Sequence, residues 1–415
     1  MANLMDYLDW RGDVALDYDG FNEVDGLLFA ELSFIDFTDI VPDVGGGSVP
    51  LREAAQRYFD RAGGEETDLG VLVPDRIPEM MRRMALSRRF SGVRLSCCEA
   101  TLDEEREQQF AALTAELGDG TVYCAFRGTD DTLVGWKEDF NMGFLETIPS
   151  QASALDYLTR VARQYPAAQL RIGGHSKGGN LAVYAAVFVP EEVQRRIVQV
   201  YNNDGPGFNR DLTALPEHAR IAGRILSVMP QSSIVGMMLA HERNAEVVHS
   251  TASGIAQHNG FTWEVRGTRF VHLDGFSAEG KRTEETLESF AAELSPEQRQ
   301  TFVNALFEVL SGTGARTLSD LNEEKIRSAA GMLKTYQNLD EETRSALSGA
   351  MKLLFRINAR NVLSDAQEAG EKGWDALKQK ADELLGRLLE KRDEKKETAE
   401  EAKKDEPAGA GETKE

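Results

Sequence analysis

Short apolar runs alternate with stretches of helical period through the middle of the chain. VRLSCCEATL from Val93 and TVYCAFRG from Thr121 contain strand-like stretches, SALDYLTRVARQY from Ser153 repeats its apolar residues at helical spacing, and QLRIGG from Gln169 is a short buried strand. LAVYAAVFV then reads as helix, and RIVQVYNND, RILSVMP, EVVHS and FTWEV read as strands. This alternation predicts an α/β fold with a mainly parallel central sheet and helices on both faces. Sheets of this kind carry their chemistry at the carboxyl ends of the strands.

Both ends of the chain depart from that texture. The opening, DYLDWRGDVALDYDGFNEVDGLLFAELSFIDF, mixes aromatic and acidic residues; its alternation predicts short strands and turns, followed after the loop PDVGGGSVP by the helix LREAAQRYFDRAG. After about Gly280 the strands stop. Ser295 as N-cap, Pro296 at the first helical position and Glu297 and Gln298 in the first turn make a coherent helix start, and Asp340 opens another. Trp374, Leu377, Ala381, Leu384 and Leu388 then recur near a 3.5-residue period. The expected organisation is an α/β domain over 1–280, a helical appendage over 281–390 and a disordered charged tail over 391–415.

Composition narrows the function classes. With 415 residues, 41% hydrophobic and 28% charged, the chain can build one large core or two modest ones. Its formal net charge of −22 argues against wrapping nucleic acid, which needs clustered Lys and Arg. No run reaches the roughly 20 apolar residues that span a bilayer. Three cysteines, Cys97, Cys98 and Cys124, and no charged-then-apolar leader predict free thiols in a cytoplasmic protein. No cofactor or metal is expected.

The candidate chemistry centres on Gly174-His175-Ser176-Lys177-Gly178, which fits GxSxG with a strand before it and a small-residue helix after it. In that context the serine sits on a tight strand-to-helix turn, and glycines leave room where side chains would collide. The helix N-terminus faces the reacting centre, so the Lys177 N–H can hold an oxyanion. A second donor is expected where TVYCAF runs into Arg127-Gly128-Thr129, a break that puts the Thr129 N–H near the same helix.

AFRGTDDTLVGWKEDF with GGHSKGG downstream resembles the class 3 lipase branch of the α/β-hydrolases, in which an FRG[ST] segment supplies one oxyanion donor and GHSxGG the nucleophile. The opening LDWRGD and FNEVD, the GHSKGGNLA elbow, NDGPGF and the QSSIVGMML to QHNGFTWEV region are similar to a bacterial family related to those lipases. The resemblance implies an α/β-hydrolase fold, Ser176 as nucleophile, Thr129 and Lys177 at the oxyanion hole, and His258 as base. For the helices beyond Gly280 it implies nothing.

Position along the chain also favours His258 among the six histidines, since the base of this fold follows the nucleophile and sits on a loop after a late strand. His241 and His272 remain alternatives. Class 3 lipases place their acid after the strand that here reads RILSVMP, yet no Asp or Glu occurs between His218 and His241. One strand earlier, VQVYNNDGPGF ends in Asp204, which keeps the order Ser176, Asp204, His258. An Asp that only opens a turn is the plainer alternative. Lys177 stands where lipases carry an apolar residue; its ammonium can pair with Glu138 or Asp139, or with an anionic head group. Together these features predict a serine hydrolase of carboxylic esters, with lipid or lysolipid as substrate implied by resemblance alone. The competing readings are a non-catalytic scaffold that binds a protein partner or a second copy through its C-terminal helices, and acyl transfer to an acceptor other than water.

Overall fold

The computed structural model describes residues 1–63, 69–70, 73–241, 244–323, 325–350 and 352–353. Its centre is a nine-stranded sheet in the order β1-β2-β3-β4-β5-β6-β7-β8-β11. The strands are β1 (Ser48–Pro50), β2 (Arg94–Asp103), β3 (Gln108–Glu116), β4 (Thr121–Phe126), β5 (Gln169–His175), β6 (Ile197–Asn203), β7 (Ile225–Pro230), β8 (Glu246–Val248) and β11 (His272–Leu273); β9 (Val265–Arg266) and β10 (Arg269–Phe270) form a separate hairpin. The pairings from β4 through β8 are parallel. Those joining β1 to β2, β2 to β3, β3 to β4 and β8 to β11 are antiparallel. The sheet is therefore mixed, a parallel centre with antiparallel flanks, where the sequence pattern predicted a mainly parallel one.

Helices cover both faces. On one lie α6 (Pro149–Gln164) and α7 (Lys177–Phe188), whose Tyr157, Val161, Leu181 and Val183 share a core with Phe126 and Ile172. On the other, α1 (Leu4–Arg11), α2 (Glu23–Leu32), α3 (Leu51–Arg61) and α4 (Ile77–Leu86) pack with Tyr123 and Tyr201.

The N-terminal segment is helical, not stranded. Asn3 caps α1 by accepting from the Met5 N–H while Asp6 accepts from the Asn3 N–H, and Asn22 and Asp25 repeat the device at α2. From Val24 to Leu32 every residue of α2 is buried, so no polar face marks its period. Fully buried Arg89 ties the segment together, donating to Asp25 and to the carbonyls of Asp19 and Gly20, while Tyr7 also donates to Asp25. Asn22 and Asp25 of FNEVD thus belong to a buried polar knot, and Gly12 of LDWRGD joins it by accepting the Arg89 backbone N–H. FTWEV departs in part from the predicted strand: residues 260–262 form a 3₁₀ turn, Trp263 makes an isolated bridge to Ser250 and donates its indole N–H to the Gln257 carbonyl at 2.8 Å, and Val265 begins β9.

The connections between β4 and β7 also carry α5 (Leu133–Asn141), four-residue α8 (Glu191–Gln194) and α9 (Pro216–Ala219). After β11 come α10 (Ala278–Glu293), α11 (Pro296–Ser311), α12 (Leu318–Glu323) and α13 (Lys325–Asn338). Ser295 caps α11 in a capping box with Gln298, as predicted. Phe307 of α11 meets Phe140 of α5 edge to face, and Arg299 donates to the Gly143 carbonyl. The Asp131 carboxylate accepts from the Ser319 N–H at the start of α12, so these helices fasten the loop after Thr129. Residues 1–353 form one compact unit. The helical period from Trp374 and the charged tail fall outside the described residues. Among those described, no helix is long and apolar enough to cross a membrane. Cys97, Cys98 and Cys124 are free thiols.

Candidate active site

β5 delivers Ser176 to the carboxyl edge of the sheet. Its backbone has φ +58° and ψ −133°, a conformation that L residues rarely adopt and that functional turns retain. The turn closes because Gly174 and Gly178 lack side chains: a Cβ on Gly174 would lie 2.2 Å from the Gly178 carbonyl carbon, and one on Gly178 2.1 Å from the Phe126 oxygen. The Ser176 N–H donates to the Asn203 carbonyl at 3.0 Å, and the serine remains partly exposed.

Asp204 follows β6 just as Ser176 follows β5, and the last residues of the two strands, His175 and Asn203, are in register. Asp204 also has positive φ, +51°, and is fully buried. Its Oδ2 lies 2.7 Å from His258 Nδ1. Because a buried carboxylate accepts, Nδ1 carries the proton and Nε2 is left as the basic nitrogen. The Ser233 hydroxyl donates to Asp204 Oδ1 and accepts the Gly236 N–H at 2.9 Å. His258 ends a 3₁₀ turn, Gly254–His258, with its side chain 22% exposed. Among the described residues, Ser176 Oγ makes no hydrogen bond to His258. The alternatives lie elsewhere: His272 sits between Glu23 and Glu246, and His241 faces Glu284.

Ser233, on the segment after β7, braces the Asp204 carboxylate. Replacing it with alanine removes a hydrogen bond to a charged group, worth about 1.5–3 kcal/mol. Ser233→Ala should lower the denaturation midpoint accordingly and lower kcat more than it raises KM; unchanged unfolding would show that the hydroxyl carries no such load.

Gly128 lies against the elbow: a Cβ there would be 2.7 Å from the His175 oxygen and 3.3 Å from Ser176 Cβ. Thr129 follows directly, its hydroxyl donating to Asp139 Oδ2. Lys177 begins α7, where first-turn N–H groups lack intrahelical partners. Its ammonium is buried and donates to the Gln109 carbonyl at 3.0 Å, Gln109 Oε1 at 2.7 Å and Glu138 Oε2 at 3.1 Å, with Asp139 3.7 Å away. Every polar atom of that cation faces protein, which leaves no place for a head group. Burial pushes the Asp139 carboxyl up to about 6, with Lys177 and Thr129 opposing the rise. In the QSSIVGMML segment, Ser232, Ser233, Gly236 and Met237 are buried and the rest of 234–239 half-buried, as core and not as a free flap.

Sequence reading missed His175 and Glu31, although an acid inside the apolar run LLFAELSF was a signal. The His175 ring stacks on His258 with centroids 4.5 Å apart, and its Nε2–H donates to the His258 carbonyl at 2.8 Å. Glu31 of α2 is completely buried, with Oε1 3.4 Å from His175 Nδ1. Burial pushes Glu31 up to about 8 and holds His175 well below the usual imidazole range. A carboxyl raised in the folded state stabilises below its unfolded pKa and loses that contribution as pH rises toward 8. Glu31→Gln, which cannot ionise, should therefore melt above the parent by a margin that widens from pH 5 to about pH 8.5. Parallel melting curves across that range would contradict the shift.

A family model described as Mbeg1-like matches residues 84–308, more than half of the chain. It spans the AFRGTDD, GGHSKGG, NDGPGF and QHNGFTWEV segments that carry the resemblance to lipases, in agreement with the lipase-related family read from them. No curated protein matches the sequence. Among solved structures, a fungal lipase–inhibitor complex is similar over 54% of this chain and 78% of its own, at 14% identity and TM-score 0.33. A mutant MDLA from Penicillium cyclopium covers 61% and 86% at 14% identity and TM-score 0.33. The native Rhizomucor miehei lipase–propeptide complex covers 54% and 67% at 16% identity and TM-score 0.30.

Proposed function

The chain belongs to the Mbeg1-like family, and we propose that it is an α/β-hydrolase that cleaves carboxylic esters through an acyl-enzyme on Ser176. The observation that carries this reading is the 2.7 Å contact between Asp204 Oδ2 and His258 Nδ1, with Asp204 at the position after β6 that matches, on the adjacent strand, a serine held at φ +58° after β5. A serine hydroxyl is a poor nucleophile at neutral pH, so His258 Nε2 removes its proton as Oγ bonds to the acyl carbon. The carbonyl electron pair moves to oxygen, where the N–H groups of Thr129 and Lys177 receive the charge. Asp204 holds the tautomer and stabilises the imidazolium. The intermediate collapses by breaking the bond to the alcohol, which leaves with the proton from His258; water then repeats the sequence and frees the acid. Ser176 Oγ is not hydrogen-bonded to His258 in this structure, and contacts of this kind tighten when substrate binds.

The acyl and head-group classes follow from resemblance, and lipid or lysolipid esters are the reading it favours. Aryl esters of increasing chain length test this. Turnover should rise with chain length and vanish in Ser176→Ala. Folded protein inert toward every ester would favour the scaffold reading; products acylated on an added alcohol or amine would favour transfer.

A further inference from the structure

Resting on that reading, we infer that Glu31 and His175 form a second carboxyl–imidazole pair that positions the base: His175 holds the backbone and ring of His258, and Glu31 Oε1 lies behind it, 3.4 Å from His175 Nδ1. The stack and the 2.8 Å bond to the His258 carbonyl hold the base through its ring plane and its main chain. Asp204 alone, on Nδ1, leaves the ring free to tilt. Because a carbonyl only accepts, His175 Nε2 carries the proton, and its other nitrogen presents a lone pair toward Glu31. A bare buried acceptor costs stability unless a donor meets it. Neither Glu31 oxygen meets a hydrogen-bond partner among the described residues, and Oε1 lies 3.4 Å from that nitrogen, so a Glu31 kept protonated by burial can turn its proton toward it.

The titratable group facing the pair is His258, with Asp204 behind it; Gly260 lies beside Leu27 and Glu31, and Trp263 meets the His175 ring edge-on. When His258 accepts the serine proton, its cation faces the neutral His175 ring, a favourable arrangement when water is excluded. Above about pH 8 Glu31 ionises, and its charge lies behind the same stack. The pair thus acts on the base without touching substrate.

Three variants in the full-length protein test this: Glu31→Leu removes the donor, Glu31→Gln replaces it with a carboxamide N–H of similar shape, and His175→Phe keeps a flat ring but loses the bond to the His258 carbonyl. Misplacing a catalytic group by an ångström costs up to about a hundredfold, so Glu31→Leu and His175→Phe should lower kcat by about tenfold to a hundredfold. KM should stay within about twofold, as for an interaction felt only in the transition state. Glu31→Gln should restore kcat at pH 6–7 and erase the inflection near pH 8 in the parent's rate profile. The proton NMR signal of the His258 ring, shifted by the stacked His175, should move in Glu31→Leu and stay in place in Glu31→Gln. An unmoved signal in Glu31→Leu, or a carboxamide variant no better than the leucine one, would overturn the inference. That signal decides the matter even if the parent hydrolyses no ester, a result that would instead count against the hydrolase reading.

Discussion

Asp204→Asn should lower kcat by about four orders of magnitude while leaving the fold and KM nearly intact, because the tautomer is lost while the geometry is kept. In the parent, the carboxylate accepts from Nδ1–H across 2.7 Å and leaves Nε2 free to take a proton. An asparagine amide turned toward His258 donates instead, which drives the imidazole proton onto Nε2. The serine then faces a donor. Ser233 still bonds to the remaining oxygen of the side chain, so the loop after β7 keeps its place. Steady-state kinetics with one activated ester measures the effect. A loss smaller than about tenfold would remove Asp204 from the reaction and point to an acid elsewhere or to a site without turnover.

Lys177→Met should cost about 3–5 kcal/mol of stability, the range for breaking one side of a buried ion pair. Lys177 and Glu138 are both fully buried, and Glu138 also accepts from the N–H groups of Gln109 and Ser150 and from the Ser150 hydroxyl. Removing the cation leaves that carboxylate charged among donors with its largest compensation gone. Chemical denaturation should show a lower midpoint at unchanged slope. In Lys177→Met/Glu138→Gln the loss should be smaller than the sum of the single changes, since the two groups share one contact. Activity on anionic and neutral esters should fall together, because the ammonium holds Gln109 and lies beside the Asp139 that fixes Thr129. Selective loss on anionic esters would assign Lys177 to substrate.

The parts of the fold with local chemical signals were legible in the sequence. The elbow announced itself through glycines whose absence of a Cβ the structure requires, and α11 through Ser295, Pro296 and Gln298. Asp204 stood out as the acid of NDGPGF, at a strand end. Elements defined by burial were harder to read. In α2 no exposed face marks the helical period, and the cap at Asn22 was not recognised within the opening segment. β3 is buried from Gln108 to Ala115, an unbroken run without the alternation that announces a strand, and it was not assigned at all. Its absence hid both the antiparallel flank of the sheet and Gln109, the partner of Lys177.

Relations across long stretches of chain were the least visible. Nothing local couples Glu31 to His175 or Ser233 to Asp204, since each pair forms only when the sheet brings its strand ends together. The charge pattern beside Lys177 did suggest Glu138 and Asp139, which lie on the adjacent segment of α5. FTWEV misled in part: Phe261 and Thr262 lie in a 3₁₀ turn, while Trp263 makes a single antiparallel bridge to Ser250 and Val265 opens the two-residue β9.

The central claim is that Ser176 is a nucleophile activated by His258 with Asp204 behind it. Exposure to a fluorophosphonate, followed by intact-mass and peptide analysis, tests it most directly. One adduct per chain on Ser176, slowed severely in His258→Ala and Asp204→Asn, is the expected result. Well-folded parent protein that takes up no label, or labels equally fast without His258, would contradict it.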